Sequence, residues 1–409
     1  MVYPLRLHGM FQRLLLLALC GQVSLAYAAP GSILEITATG SLSPAEINRT
    51  IAPLFSDAPA PQARYAVDTY LIRYESRYPD GETASITAQL FLPQRDSQEA
   101  SELYLFAPGS TGLLDRCRVS REHIAGIVWG RYRSHVLAHA GQGSVGLLPD
   151  YMGFGNPDRL QLYFSPEAHA HMVLDGMRAV QRIARDNGVT LREEAFLAGY
   201  SQGGHAIFAA ADYLERYAPE LRIAGLIGYG ATTDLQALFR DFTTVAPLLI
   251  YTYEQLYDDP GFEASAMLSA NWAARYRDVV TSQCIGGTQS EIPWTPAAVF
   301  NAGFSESLLQ GTLADSHPEI YDVLVRRSTG LSGHGLPAII LQGSDDPVVT
   351  VASQNRFVQA LCEAGSAVRY PNYIGTRHDT RQVGFEETRA WMASLNSGES
   401  PASDCADLP

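Results

Sequence analysis

The 409-residue chain contains no lysine; all 29 of its basic residues are arginine. That absence excludes every mechanism built on an ε-amine: a Ser-Lys dyad, a Schiff base, pyridoxal chemistry, or the lysine of a phosphate-binding P-loop. Positive charge is scarce as a whole, 29 basic against 43 acidic residues for a net −14. A surface of that sign repels nucleic acid and anionic membranes, so no nucleic-acid partner is expected. Cysteine is sparse, with five residues, and internal repeats and low-complexity tracts are absent. The balance of 46% hydrophobic and 18% charged residues is that of a globular protein rather than a disordered one. At this length, one large domain with an insertion, or two domains, is expected.

Met1–Ala28 reads as a secretory signal. Arg6 and Arg13 form the positive start, Leu14–Leu19 the apolar centre, and Ala26-Tyr27-Ala28 an A-x-A cleavage site. The apolar run is short for a bilayer span. Leu17-Ala18-Leu19-Cys20 resembles a lipoprotein box, but Leu19 is bulky where a small residue is needed, so a secreted or periplasmic chain is expected. Removing residues 1–28 takes two arginines and no acids, leaving 27 basic against 43 acidic residues, or −16. It also takes Cys20. Cys117, Cys284, Cys362 and Cys405 remain, an even number that suggests two disulfides with three possible connectivities. Their spacing is not that of a zinc site.

The chemistry starts at residues 195–205. The apolar run Ala195–Ala198 reads as a strand, Gly199-Tyr200-Ser201-Gln202-Gly203 follows, and Ala206–Ala211 reads as a helix. Strand, G-x-S-x-G, helix is the setting of a nucleophilic serine on a sharp turn. Side chains at 199 and 203 would collide with the neighbouring helix and strand, which explains the glycines. The N–H groups that open the helix face the Ser201 hydroxyl, where negative charge develops.

Around this turn, strands are expected at Val67–Tyr74, Ile86–Leu92, Leu103–Ala107, Val145–Leu148, Ile223–Ile227, Ala338–Leu341 and Ala367–Tyr370. Helices are expected at His123–Leu137, His169–Ala184, from residue 206 to about Tyr217, at Ala352–Ala364 and at Gly384–Ser394. Residues 31–64, rich in proline, read as an arm laid over the core. Alternating strands and helices imply a mostly parallel sheet with helices on both faces and an antiparallel edge. Residues 233–330 break the rhythm with helical segments Asp234–Phe242, Val245–Leu256, Ala264–Tyr276 and Pro296–Gln310 and no clear strand. The expected division is therefore a signal at 1–28, a core of 29–232 and 331–409, and an inserted helical cap at 233–330.

A serine needs a base, and the base an orienting carboxylate. In a parallel sheet these belong at the carboxyl ends of strands. Of the four histidines after Ser201, His205 sits one turn down its helix and reads as packing. His317 lies inside the insertion, and His334 precedes a strand. His378 alone follows one. The acid should follow Ala338–Leu341, which runs into Gly343-Ser344-Asp345-Asp346. The G-x-x-D-x-x-V spacing places Asp346 past the turn, with Asp345 as the alternative. The order Ser, Asp, His is that of α/β-hydrolases. The oxyanion donors are expected at the Gln202 N–H and, from the loop Gly109-Ser110-Thr111, the Ser110 N–H. His169 and His171 are two apart on one helix and face different ways, so no metal and no cofactor is expected.

Phe106-Ala107-Pro108-Gly109-Ser110-Thr111-Gly112 with Asp115 and Cys117, then Pro149-Asp150-Tyr151-Met152-Gly153-Phe154-Gly155, then Gly199–Gly203, resemble the secretory lipases. These comprise bacterial exported lipase/esterases and fungal lipases of the Candida lipase A type. The resemblance implies an α/β-hydrolase fold, a Ser201-His378-Asp346 triad working through an acyl-enzyme, a helical cap, and carboxylic esters, acylglycerols among them, as substrates. It also suggests the pairs Cys117–Cys284 and Cys362–Cys405. Bacterial relatives commonly carry His where this chain has Pro108, so its oxyanion loop is expected to differ. The expected partners are a small-molecule or lipid ester and a lipid–water interface, met by a monomer. Two other functions fit the same fold. A peptidase would use cap acids such as Glu254, Asp258, Asp259 and Glu263 to capture a charged terminus. A non-catalytic binding protein would leave Ser201 unreactive.

Overall fold

The computed structural model describes residues 29–95, 100–122 and 128–408. The expected signal segment lies outside the described residues. Ten strands are described: β1 (Ile33–Leu42), β2 (Val67–Arg77), β3 (Thr83–Pro93), β4 (Ser101–Ala107), β5 (Val145–Pro149), β6 (Leu191–Tyr200), β7 (Arg222–Tyr229), β8 (Ala338–Gly343), β9 (Val368–Arg369) and β10 (Asn372–Tyr373). They form one sheet in the order β1-β2-β3-β5-β4-β6-β7-β8-β10, with β9 also beside β8. β1 to β3 and the β3–β5 pair are antiparallel; from β5 across to β10 every pair is parallel. The parallel strands are near-continuous apolar runs, as strands covered on both faces must be; every residue of β8 is buried.

Helices Pro166–Asp186, Gln202–Tyr217 and Val351–Glu363 cover one face and share its apolar cluster. Helices Pro44–Ile51, Tyr132–Gly141 and Phe385–Asn396 cover the other. Most expected elements appear within a few residues of their predicted ends. Three departures have physical causes. The arm at 31–64 opens with the edge strand β1, whose two faces are both largely exposed, so no buried alternation marks it. The helix expected from His123 begins at Tyr132; residues 123–127 lie outside the described ones. The strand expected at Ala367–Tyr370 is split into β9 and β10 around Pro371, which has no N–H for a ladder.

Between β7 and β8 the described elements are helices, joined by one isolated bridge from Leu268 to Phe300. This bridge breaks two expected helices. Ala264–Tyr276 becomes Ala264–Met267 and Ala270–Ala273, with a further helix starting at Tyr276. Pro296–Gln310 becomes Pro296–Val299 and Ala302–Gln310. Leu268 and Phe300 are extended, and Asn301 then caps the next helix through its side chain. Tertiary pairing overrides a continuous local propensity here. The segment builds a second apolar cluster, from Leu235 to Leu324, joined by Leu113, Tyr163, Phe164, Val348 and Val349.

Candidate active site

Ser201 stands on the turn between β6 and its helix at φ 54°, ψ −117°, a conformation that costs a non-glycine residue free energy. The surrounding backbone holds it there. Its N–H donates to Tyr229 O at 3.1 Å, and its carbonyl accepts from Gly204 N at 2.8 Å and Thr232 N at 3.2 Å. A Cβ at residue 203 would lie 1.9 Å from Ala107 O, and one at 199 would lie 2.1 Å from Gly203 O. Only glycine lets β4, β6 and the helix meet this closely.

The loop after β10 carries His378, and the loop after β8 carries Asp346. His378 Nδ1 lies 2.8 Å from Asp346 Oδ2. Asp346 Oδ1 accepts the N–H groups of Val348 at 2.8 Å and Val349 at 2.9 Å, which fixes the carboxylate. Asp345 is exposed and takes a hydrogen bond from Ser344. The His378 ring packs on Tyr200 at 4.9 Å, and its Nε2 has no protein partner. His378 and Ser201 line one cleft, with Ser110 beside them. The Ser110 hydroxyl pairs with Tyr163 OH at 2.7 Å. Gln202 is fully buried at the start of the helix. Pro108 turns its carbonyl to Tyr151 OH at 2.5 Å. His205, His317 and His334 stay away from this cleft. His205 is buried against His169 and Arg327 O; His317 precedes helix Pro318–Arg327; His334 accepts from Leu336 N. His171 points elsewhere and stacks on Tyr217 at 3.9 Å.

The opposite wall comes from the helical segment: Leu238, Phe242, Val245, Ile285 and Gln289. Two disulfides are present, Cys117–Cys284 and Cys362–Cys405, with Cα separations of 5.6 and 5.7 Å. The first ties the loop after β4 to helix Ile285–Glu291, and Ile285 N reinforces it by donating to Thr111 O at 2.9 Å. Among the described residues no group of three or more His, Cys, Asp or Glu side chains is gathered as for a metal.

Sequence reasoning missed several residues of the site. Arg381 is buried three positions after His378. It donates to Asp379 and, at 2.7 Å, to Gly130 O, and lies over the Tyr200 ring at 4.6 Å and Tyr132 at 5.1 Å. Burial disfavours its cation, but the Asp379 carboxylate outweighs that and holds the guanidinium above its ordinary value. Glu122, also buried, accepts from the N–H groups of residues 129 to 132 at 2.8–3.0 Å and so starts helix Tyr132–Gly141 from a distance. Phe164 lines the cleft at φ 52°.

Comparison with known proteins places this geometry in context. The sequence model of the family described as secretory lipase matches residues 132–404. Lipase A of Arthroderma benhamiae is 25% identical over 281 residues, which are 66% of this chain and 56% of that protein. The chain thus spans little more than half the length of that relative. The trichothecene C-3 esterase of Fusarium sporotrichioides is 22% identical over 391 residues, 93% of this chain and 80% of that one. Among solved structures, the rice cell wall degrading esterase LipA from Xanthomonas oryzae superposes with a TM-score of 0.66 at 18% identity, covering 90% of this chain and 97% of that one. Candida antarctica lipase A gives 0.66 at 17% identity, covering 92% and 84%. At such identities the likeness shows the fold, an α/β-hydrolase.

Proposed function

The chain belongs to the secretory lipase family, and we propose that it is an exported carboxylic-ester hydrolase with a Ser201-His378-Asp346 triad. The observation that carries this reading is the His378–Asp346 contact at 2.8 Å, with the free Nε2 of His378 in the cleft that Ser201 lines. An ionised Asp346 accepts from Nδ1–H, which leaves Nε2 as the bare, basic nitrogen. Ser201 Oγ attacks the ester carbonyl while Nε2 takes its proton. The N–H groups of Gln202 and Ser110 receive the oxyanion. His378 returns the proton to the leaving alcohol, and water then cleaves the acyl-enzyme by the same steps. In this reading residues 233–330 form a cap on a core of 29–232 and 331–409. Two disulfides fit an oxidising compartment.

The peptidase alternative is disfavoured by the cap acids. Glu254 is engaged by Ala264 N and Arg277, and Asp259 by Arg326 and Arg327. None of Glu254, Asp258, Asp259 and Glu263 lines the cleft. Ser201→Ala should abolish p-nitrophenyl ester turnover and fluorophosphonate labelling without changing the circular dichroism spectrum. Turnover that survives the substitution would remove Ser201 from the mechanism.

A further inference from the structure

Beneath the turn, three buried side chains form a single file. Gln202 Nε2 lies 3.3 Å from His169 Nε2, His169 Nδ1 lies 2.9 Å from His205 Nδ1, and His205 Nε2 lies 2.7 Å from Arg327 O. Gln202 and His205 are 0% exposed and His169 is 1%. A carbonyl can only accept, so His205 Nε2 carries a hydrogen. In a neutral ring the other nitrogen is then bare, and His205 Nδ1 accepts. His169 Nδ1 must therefore carry a hydrogen, its Nε2 is bare, and it accepts from the Gln202 amide. One tautomer at each ring satisfies every link, and no other neutral assignment does. Burial and mutual repulsion push the His169 proton affinity well down, and burial pushes His205 to about 4, so both rings are neutral at pH 7.

The file joins two parts of the proposed hydrolase. At one end is Gln202, whose own N–H opens the helix after Ser201. At the other is the end of helix Pro318–Arg327, where the Arg327 guanidinium lies 3.3 Å from the Tyr257 ring centroid and pairs with Asp259. Phe164 stands edge-on to His205 at 5.0 Å, its carbonyl held by Tyr253 OH at 2.7 Å.

We propose that His169 and His205 are positioning residues, a tautomer-locked relay that holds Gln202, and with it the oxyanion donor, in register with the cap. This rests on the ester-hydrolase reading above, but its first test does not. Nitrogen NMR of the protein labelled with ¹⁵N-histidine should show His169 as the Nδ1–H form and His205 as the Nε2–H form at pH 7. The opposite tautomer at either ring, or a doubly protonated ring, overturns the relay.

The second test uses ester kinetics. His169→Phe should lower kcat by about 10- to 100-fold, the scale of a sub-ångström misplacement, while KM stays within about threefold. His169→Gln, which keeps an acceptor toward Gln202 and a donor toward His205, should recover most of the loss. Combining His169→Phe with Gln202→Met should cost no more than the single changes, because both cut the same file. Equal loss in kcat and rise in KM, no recovery by His169→Gln, or additive losses overturn the positioning role. If His169→Phe does not fold, Gln202→Met reads the same step alone. A failure of Ser201→Ala to abolish turnover would instead overturn the hydrolase reading and leave the NMR result standing.

Discussion

Ser201, His378 and Asp346 stand on turns that follow β6, β10 and β8, and the backbone around them fixes where they point. Phe242, Val245, Ile285 and Gln289 face them from a segment of short helices that builds a second apolar cluster. The floor of the cleft is set by close backbone approach: glycines that a Cβ would jam, and carboxylate oxygens filled by main-chain N–H groups. The opposite wall is set by side chains, one disulfide and a few polar anchors. For the proposed hydrolase the comparison teaches that chemistry and selectivity would be held by separable forces. A change to the floor should therefore act on kcat, and a change to the wall on KM and stability.

The largest expected effect is on the floor. Asp346→Asn leaves the geometry but presents the wrong donor pattern to His378 Nδ1, and kcat should fall by about 10⁴-fold. Asp345→Asn, on an exposed side chain, should leave steady-state rates within about twofold. Similar losses from the two would dissolve the distinction between neighbours.

On the wall, replacing Cys117 and Cys284 together by serine opens a link between residues 167 apart. The chain-entropy relation gives up to about 5 kcal/mol for such a loop. Removing Cys362–Cys405, at a separation of 43, should cost up to about 4 kcal/mol. Urea unfolding measures both. Only the first should also raise KM, because only it holds a cleft-lining helix.

Acid should loosen the molecule next. His205 is held neutral by burial, with its folded value near 4 against an ordinary 6.5. A depressed folded value means its contribution is complete above 6.5 and is lost as pH falls through 4, a swing of roughly 3 kcal/mol. His135, His139 and His169 shift the same way through burial. Asp150 opposes them. Burial raises it to about 6, so its ionisation costs stability as pH rises through that value. Urea midpoints should drop between pH 6.5 and 4; a flat profile would show that the histidines do not outweigh Asp150. The smallest effect should come from Ile285→Ala. It should change the ratio of kcat/KM between short and long p-nitrophenyl esters by about tenfold, with kcat on the short ester preserved.

The same contrast decides what could be read from the sequence. The floor was legible because each of its parts is local: Gly199–Gly203 encloses a turn, Gly343 to Asp346 another, and His378 alone follows a strand. The two-sided sheet was legible from apolar runs such as Ala338–Leu341. Of the wall, the helical segment and the Cys117–Cys284 pair were expected, but its detail was not, because the determinants are distant in sequence. Leu268 pairs with Phe300 and cuts two helices whose local propensities run on. Glu122 starts a helix from ten residues upstream of Tyr132. Arg381 gains its meaning only when Tyr200 and Tyr132 close over it. β1 escaped notice because an edge strand open to water on both faces needs no alternation.

The Cys117–Cys284 link also has a meaning in time. Its two sulfurs, 167 residues apart in sequence, are side by side because the inserted helices pack on the loop after β4, so the bond holds that packing in place. Before oxidation, helix Ile285–Glu291 is tied to the loop after β4 by weaker contacts such as Ile285 N to Thr111 O. A chain kept reduced would keep the Ser201 turn and lose the covalent tie to the wall. Loss of two electrons would fasten that wall, and it would occur where the chain meets an oxidant.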